Sequence, residues 1–163
     1  MKNTVDTHVR PARPDELPSL TELCLRSKAV WGYDAAFLEA CRAELTLGAN
    51  DLTATHIAVA ESADTVVGVV QVEIAGRTAD LLKLFIEPED FGNGTGRRLF
   101  DWACDVARDL GATNLTIEAD PDAAPFYRRM GARDDGFAPS GSIPGRMLPR
   151  LVLDLSADLP RTA

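Results

Sequence analysis

The sequence predicts a mixed α/β layer fold in a single domain, residues 1–163, and three observations carry that expectation. The apolar run Leu81-Leu82-Lys83-Leu84-Phe85-Ile86 passes through a glycine-rich turn into a stripe of apolar residues at helical spacing. Two earlier runs, Thr55 to Glu61 and Val66 to Ile74, flank a turn around Ser62-Ala63-Asp64 as hairpin strands do, and the second alternates and is rich in β-branched residues. No internal repeat, low-complexity linker or second core interrupts the chain, and at 163 residues one domain buries roughly 70% of its unfolded surface.

The elements follow in order. Thr7 to Arg10 reads as a strand, Pro14 to Lys28 as a helix opened by Asp15 or its neighbours, and Asp34 to Leu45 as a second helix. The hairpin turns around Ser62-Ala63-Asp64, and a strand from Asp80 to Ile86 closes at Glu87-Pro88. Leu99, Ala103, Val106 and Leu110, widened by Phe100 and Ala107, form a helix that Gly111 stops. Asn114 to Ala119 alternates as a strand. A short helix follows, capped by Asp120 or Asp122, ended by Gly131 and carrying Phe126 and Tyr127 near its middle. Phe137 to Pro149 reads as a loop rich in turn formers between the last two strands, and residues 1–6 and 160–163 as frayed ends.

Bulk properties narrow the function. A formal charge of −8 gives no basic footprint for nucleic acid. Cys24, Cys41 and Cys104 form no C-x-x-C pair, which argues for reduced core thiols and against a disulfide framework or a metal site. No apolar stretch reaches the ~20 residues that span a bilayer, and residues 1–6 lack an apolar signal core, so the expected location is the cytoplasm and no membrane partner is expected.

Phe91-Gly92-Asn93-Gly94-Thr95-Gly96-Arg97-Arg98 carries the chemistry. Glycines at 92, 94 and 96 admit positive φ, so backbone N–H groups converge at a helix N-terminus where an anionic diphosphate fits. Neither G-x-G-x-x-G nor G-x-x-x-x-G-K-[ST] matches: both fail at Arg97 when started at Gly92 and at Leu99 when started at Gly94.

With the Asp120–Gly131 segment, this turn resembles the GNAT superfamily of acyl-CoA N-acyltransferases. The family's Q/R-x-x-G-x-G/A pattern falls on Phe91–Gly96 and its N-x-x-A-x-x-F-Y-x-x-x-G pattern on Asp120–Gly131. Val9-Arg10-Pro11-Ala12 and the final run Leu151–Leu155 extend the resemblance over nearly the whole chain. Phe91 stands where a basic or amide residue is usual and Asp120 where asparagine is usual, with Arg97 and Arg98 near enough in sequence to compensate for the first.

The resemblance implies a twisted, mostly antiparallel sheet of six to seven strands flanked by about four helices, with acetyl-CoA as acyl donor. It implies direct transfer to a primary amine of a small-molecule, peptide or amino-acid-like acceptor, and leaves homodimerisation open. The pantetheine arm would pair along Leu84, Phe85 and Ile86, with a backbone amide at Phe85 or Ile86 polarising the thioester. The diphosphate would sit over Gly92, Asn93, Gly94, Thr95, Gly96 and Arg97, and Asp120 and Phe126 would also belong to the cofactor site. Tyr127 falls where the family's general acid stands. Glu118 or Asp80 is the candidate base, with Glu73 and His56 behind them.

Trp31 and Tyr33, in Ser27-Lys28-Ala29-Val30-Trp31-Gly32-Tyr33, either wall an acceptor pocket or cap the core between two helices. Ser142 and Arg146, in Ser142-Ile143-Pro144-Gly145-Arg146, are candidate acceptor contacts, the arginine suited to a carboxylate or phosphate. The competing functional class is a module that binds or senses acyl-CoA without transfer.

Overall fold

The computed structural model describes residues 6–156. A seven-stranded sheet runs β1 (Thr7–Pro11), β2 (His56–Ser62), β3 (Thr65–Ala75), β4 (Thr78–Ile86), β5 (Asn114–Glu118), β7 (Met147–Asp154), β6 (Arg133–Pro139) across its width. Only β4 and β5 pair in parallel, because a helix crosses over between them while hairpins or return connections join the rest. The expected frayed ends lie, apart from Asp6, outside the described residues.

Helices cover both faces. α4 (Thr95–Asp109) and α5 (Ala124–Arg129) lie over one core, in which Leu99, Phe100 and Ala103 meet Val70, Val72, Leu115 and Ile117. α1 (Leu17–Ala29) and α2 (Ala35–Leu45) cover a second core on the opposite face, where Leu20, Leu23 and Cys24 meet Ile57, Val59 and Val69. α4 packs so close to β3 that a Cβ on Gly68 would stand 2.8 Å from Leu99 Cδ1 and 2.9 Å from Ile86 Cδ1. Two layers of helix around one sheet is the arrangement that buries both apolar faces.

Local chemistry explains the boundaries. Asp34 caps α2 by accepting from the Phe37 N–H at 2.8 Å. The β2–β3 hairpin turns on Ala63 and Asp64, both at positive φ (49° and 64°), the two-residue turn whose twist matches the strands. Arg10 ties β1 to its neighbours through Glu61 (Nε to Oε2, 2.9 Å) and Glu16 (Nη2 to Oε1, 2.5 Å), and that guanidinium holds the Glu16 carboxyl below its ordinary range. Cys24 and Cys104 are buried free thiols that desolvation pushes up to about 12.

Two expectations about elements need correction. A fifth helix, α3 (Ala49–Ala54), escapes a pattern search because six residues show no stripe; it is held by the Gly48 N–H on Asp51 Oδ2 at 2.8 Å. The loop expected from Phe137 to Pro149 shrinks to residues 140–146, since Phe137, Ala138 and Pro139 pair with Pro149, Leu148 and Met147. Pro139 is tolerated because β6 is an edge strand. Pro149 turns its carbonyl to the Ala119 N–H (2.9 Å), away from β6, so its missing N–H breaks no bond to that strand.

Candidate active site

The parallel ladder between β4 and β5 ends at Leu81 opposite Ile117, although β4 continues to Ile86. A bulge explains the divergence: Val72 pairs with Leu81 and Gln71 with Lys83, leaving Leu82 as the extra residue that bends β4 away from β5. The two strands splay around a cavity of about 370 Å³. Glu87 donates its N–H to the Val67 carbonyl at 2.8 Å, so by strand alternation Phe85 faces β3 with its backbone groups while Leu84 and Ile86 present theirs to the cleft. Of the two expected thioester-polarising amides, only that of Ile86 is aimed at the cavity.

The glycine turn follows directly. Gly92 and Gly94 adopt φ of +83° and +81°, and Gly94 is the N-cap of α4. Among the described residues the amides of Thr95, Gly96 and Arg97 have no partner, as the first turn of a helix requires. The side chains of Asn93 and Thr95 are committed elsewhere: Asn93 donates to Asp90 Oδ1 at 3.0 Å and the Thr95 hydroxyl to Asp90 Oδ2. Asp90 braces the turn from below, so a phosphate would meet main chain alone. Arg98 donates to the Thr7 carbonyl, which leaves Arg97, exposed, as the nearer free cation. Phe91, 43% exposed, lines the cavity as an apolar rim. These donors fit a diphosphate, and the open β4 edge fits an amide-bearing arm.

α5 supplies the aromatic floor. Phe126 stands edge-on to Tyr127 (5.1 Å between centroids) and lies against Gly96, where a Cβ would be 3.5 Å from its ring. Tyr127 is buried against Phe100, and its hydroxyl has no partner among the described residues, yet it is not sealed from the cavity. Desolvation raises its proton affinity above the ordinary phenol value, so it remains a neutral donor.

The opposite wall is built from charged side chains. Asp120 Oδ2 accepts from the Tyr33 hydroxyl at 2.5 Å and faces Arg146 Nη2 at 3.4 Å and Lys28 Nζ at 3.7 Å, while Oδ1 accepts from the Asp122 N–H at 3.1 Å. Asp120 therefore belongs to this knot, with both oxygens already accepting. Arg146 also donates to the Tyr33 hydroxyl at 2.6 Å and lies over the Tyr33 and Phe37 rings, which stack at 4.0 Å. Desolvation, helped by Asp120, pushes the Tyr33 phenol up to about 12.

Trp31, 42% exposed, lines the cavity; Tyr33 does not, its ring and hydroxyl both engaged in the knot. Ser142 lines it and donates to Glu44. Sequence reasoning missed Lys28, Glu44 and Lys83, all of which line the cavity. For Lys83 a signal existed, a single cation inside an otherwise apolar strand.

The candidate bases separate by position. Glu118 lines the cavity. Asp80 does not: it is exposed at the far end of β4, paired across from Glu73 and Thr116. Glu73 and His56 are exposed and also outside the cavity. Strand order places all three beyond the splay, at the end of the sheet where β4 and β5 are still paired or at the start of β2.

Residues 53–131, which contain the β4 edge, the turn and Tyr127, match the family model of the acetyltransferase (GNAT) domain. Over that stretch the chain is similar to a GNAT acetyltransferase domain. Solved structures share the fold at low identity. PaiA N-acetyltransferase from Thermoplasma acidophilum, in complex with coenzyme A, is 16% identical over 91% of this chain and 99% of its own, with a TM-score of 0.74. A GCN5-related N-acetyltransferase from Rhodopseudomonas palustris is 21% identical over 90% and 94%, with a TM-score of 0.73. YncA from Salmonella typhimurium, with its cofactor acetyl-CoA, is 20% identical over 92% and 94%, with a TM-score of 0.67. No curated protein sequence matches the chain.

Proposed function

We propose that the protein is an N-acetyltransferase that passes an acetyl group directly from acetyl-CoA to a primary amine of a small-molecule or amino-acid-like acceptor in the cytoplasm. One observation carries the reading: the unpaired β4 edge leads straight into three unpartnered helix amides, with the free Tyr127 hydroxyl on the facing element.

Acetyl-CoA supplies the thioester carbonyl that the amine attacks, the C–N bond forming as C–S breaks. The Ile86 N–H is placed to hold the carbonyl oxygen as charge develops on it. Tyr127 stays neutral and offers its O–H to the departing sulfur, with its proton replaced from solvent. Glu118 serves as base, through water, for an ammonium that at an ordinary pKa near ~10.4 must lose a proton before it can attack. Trp31, Ser142 and Arg146 line the acceptor side of the cavity.

The test has two arms: thermal stabilisation by acetyl-CoA, and thiol release with a panel of amines. Stabilisation with acceptor-dependent release is expected. Stabilisation without release from any amine would instead favour an acyl-CoA-binding module, a reading that the missing cation at Phe91 keeps in view.

A further inference from the structure

Lys83 is the one buried cation of the cleft that the proposed reaction does not use. It lies on the β4 face shared with Gln71 and Phe85, beneath α1 and α2, is 9% exposed and lines the cavity. Its Nζ donates to Gln71 Oε1 at 2.9 Å, Gln71 Nε2 donates to Thr55 Oγ1 at 3.0 Å, and the Thr55 hydroxyl donates to the Asp51 carbonyl at 2.6 Å. This relay fixes the amide: with its own proton on a carbonyl, Thr55 can only accept from Gln71, so Gln71 must turn its oxygen to the lysine. One neutral oxygen is the whole of what Lys83 receives. It forms no ion pair among the described residues, although an ammonium brings three donors and its burial without a counter-charge is costly.

The groups that face it are the Cys24 thiol from α1, the Glu44 carboxylate from α2 and the Asp51 carboxylate from α3, none at ion-pair distance. Desolvation outweighs them and lowers the lysine's proton affinity.

The cavity lining as a whole balances Lys28, Lys83, Arg129 and Arg146 against Glu44, Glu118, Asp120 and Asp122. The carboxylates are not shared evenly: Asp120 is engaged by Tyr33, Lys28 and Arg146 and Glu44 by Ser142, and Arg129 is exposed, which leaves Lys83 as the buried cation of the lining without a carboxylate partner among the described residues. Glu118, at the end of β5 where that strand has parted from β4, also lines the cavity.

We propose that Lys83 binds a carboxylate of the acceptor, and that the acceptors are amino acids or other amino-carboxylates held with the amine towards Glu118 and the carboxylate on Lys83. The proposal rests on the acyltransferase reading of the cleft and narrows its acceptor class. An arriving carboxylate provides the counter-charge that burial denies Lys83, so at alkaline pH its binding draws a proton onto the amine.

The experiment pairs each amino-carboxylate with the amine left when its carboxyl is removed: β-alanine with ethylamine, 4-aminobutyrate with propylamine, leucine with 3-methylbutylamine, phenylalanine with phenethylamine. With saturating acetyl-CoA, thiol release is expected to favour the carboxylated partner of at least one pair by about tenfold or more in kcat/KM, the scale of one charged hydrogen bond. Lys83→Met is expected to erase that preference while acetyl-CoA still raises its melting temperature. Calorimetry of the favoured amino acid, in two buffers of different ionisation heat, is expected to show proton uptake in the natural protein and none in Lys83→Met.

Equal use of both partners in every pair overturns the proposal and leaves the transferase reading standing. If no amine releases thiol although acetyl-CoA binds, the transferase reading falls. Calorimetry of the amino acids then judges the site alone, binding that Lys83→Met abolishes supporting it and absence of binding overturning it. Should Lys83→Met fail to fold, the paired panel on the natural protein decides by itself.

Discussion

The two walls of the cleft are made of different material. On the side proposed for the cofactor, Leu84, Ile86 and residues 92–97 present main-chain groups drawn from one short stretch of sequence. On the side proposed for the acceptor, Lys28, Tyr33, Lys83, Asp120 and Arg146 present side chains that come from four separate segments. A main-chain wall offers only what every peptide can offer, N–H and C=O groups suited to a diphosphate and an amide-bearing arm, and does not depend on the side chain at position 91. A side-chain wall is specific, and each of its members depends on the others for charge balance.

Substitutions should separate the walls. The largest effect is expected from Tyr127→Phe, which removes the O–H at the junction: turnover falls about 10²-fold or more, and acetyl-CoA binding, followed by thermal shift, is unchanged. Its pH behaviour follows from the sign of the shift. Burial raises the phenol above its ordinary 10.0, so the stability tied to the neutral form is fully present below about pH 10 and is lost as pH rises further. The variant should melt with a shallower alkaline decline.

Next comes Gly94→Val, which forces a β-branched residue to φ +81° at a cost of roughly 1–2 kcal/mol and crowds the cradle. It should lose most of the roughly 2.7 kcal/mol of stabilisation that acetyl-CoA at 100 times its Kd gives a competent site. Asp120→Asn attacks the other wall. It keeps an acceptor for Tyr33 but strips Lys28 and Arg146 of their counter-charge, and should cost about 1 kcal/mol, since all these groups retain some contact with water. Its signature is a raised KM for the acceptor with acetyl-CoA binding preserved; a loss confined to acetyl-CoA would reverse the assignment of Asp120. The smallest change, Ala63→Gly, relieves a positive φ in a distant hairpin and should stabilise by about 0.4–1 kcal/mol without touching either wall, read by denaturant unfolding.

The same division decides what could be read in advance. A strand, three glycines and a helix follow one another in sequence, so the turn, the β4 edge and the Phe126-Tyr127 pair were legible as pattern. The bulge at Leu82 was not, because it exists only relative to the partner strand. Tyr33 meets Asp120 across 87 residues and Ser142 meets Glu44 across 98, and no spacing rule connects them. The motif position of Asp120 implies a cofactor contact and gives no sign that two cations and a phenol converge on its carboxylate. Asp80 and Glu118 look alike as strand-end carboxylates, and only the point at which β4 parts from β5 shows that one reaches the cavity and the other does not.

The bulge at Leu82 also bears on solubility. By parting β4 from β5 it opens, inside the sheet, a short edge of unsatisfied main chain bordered by Leu82, 44% exposed, and Phe91. Proteins usually guard such edges with charge, proline or a covering element, because a second strand can add to them as readily as a ligand can. Here the proposed ligand would be the guard, so the empty protein should self-associate more readily than the loaded one, and preparations should keep best with coenzyme A added.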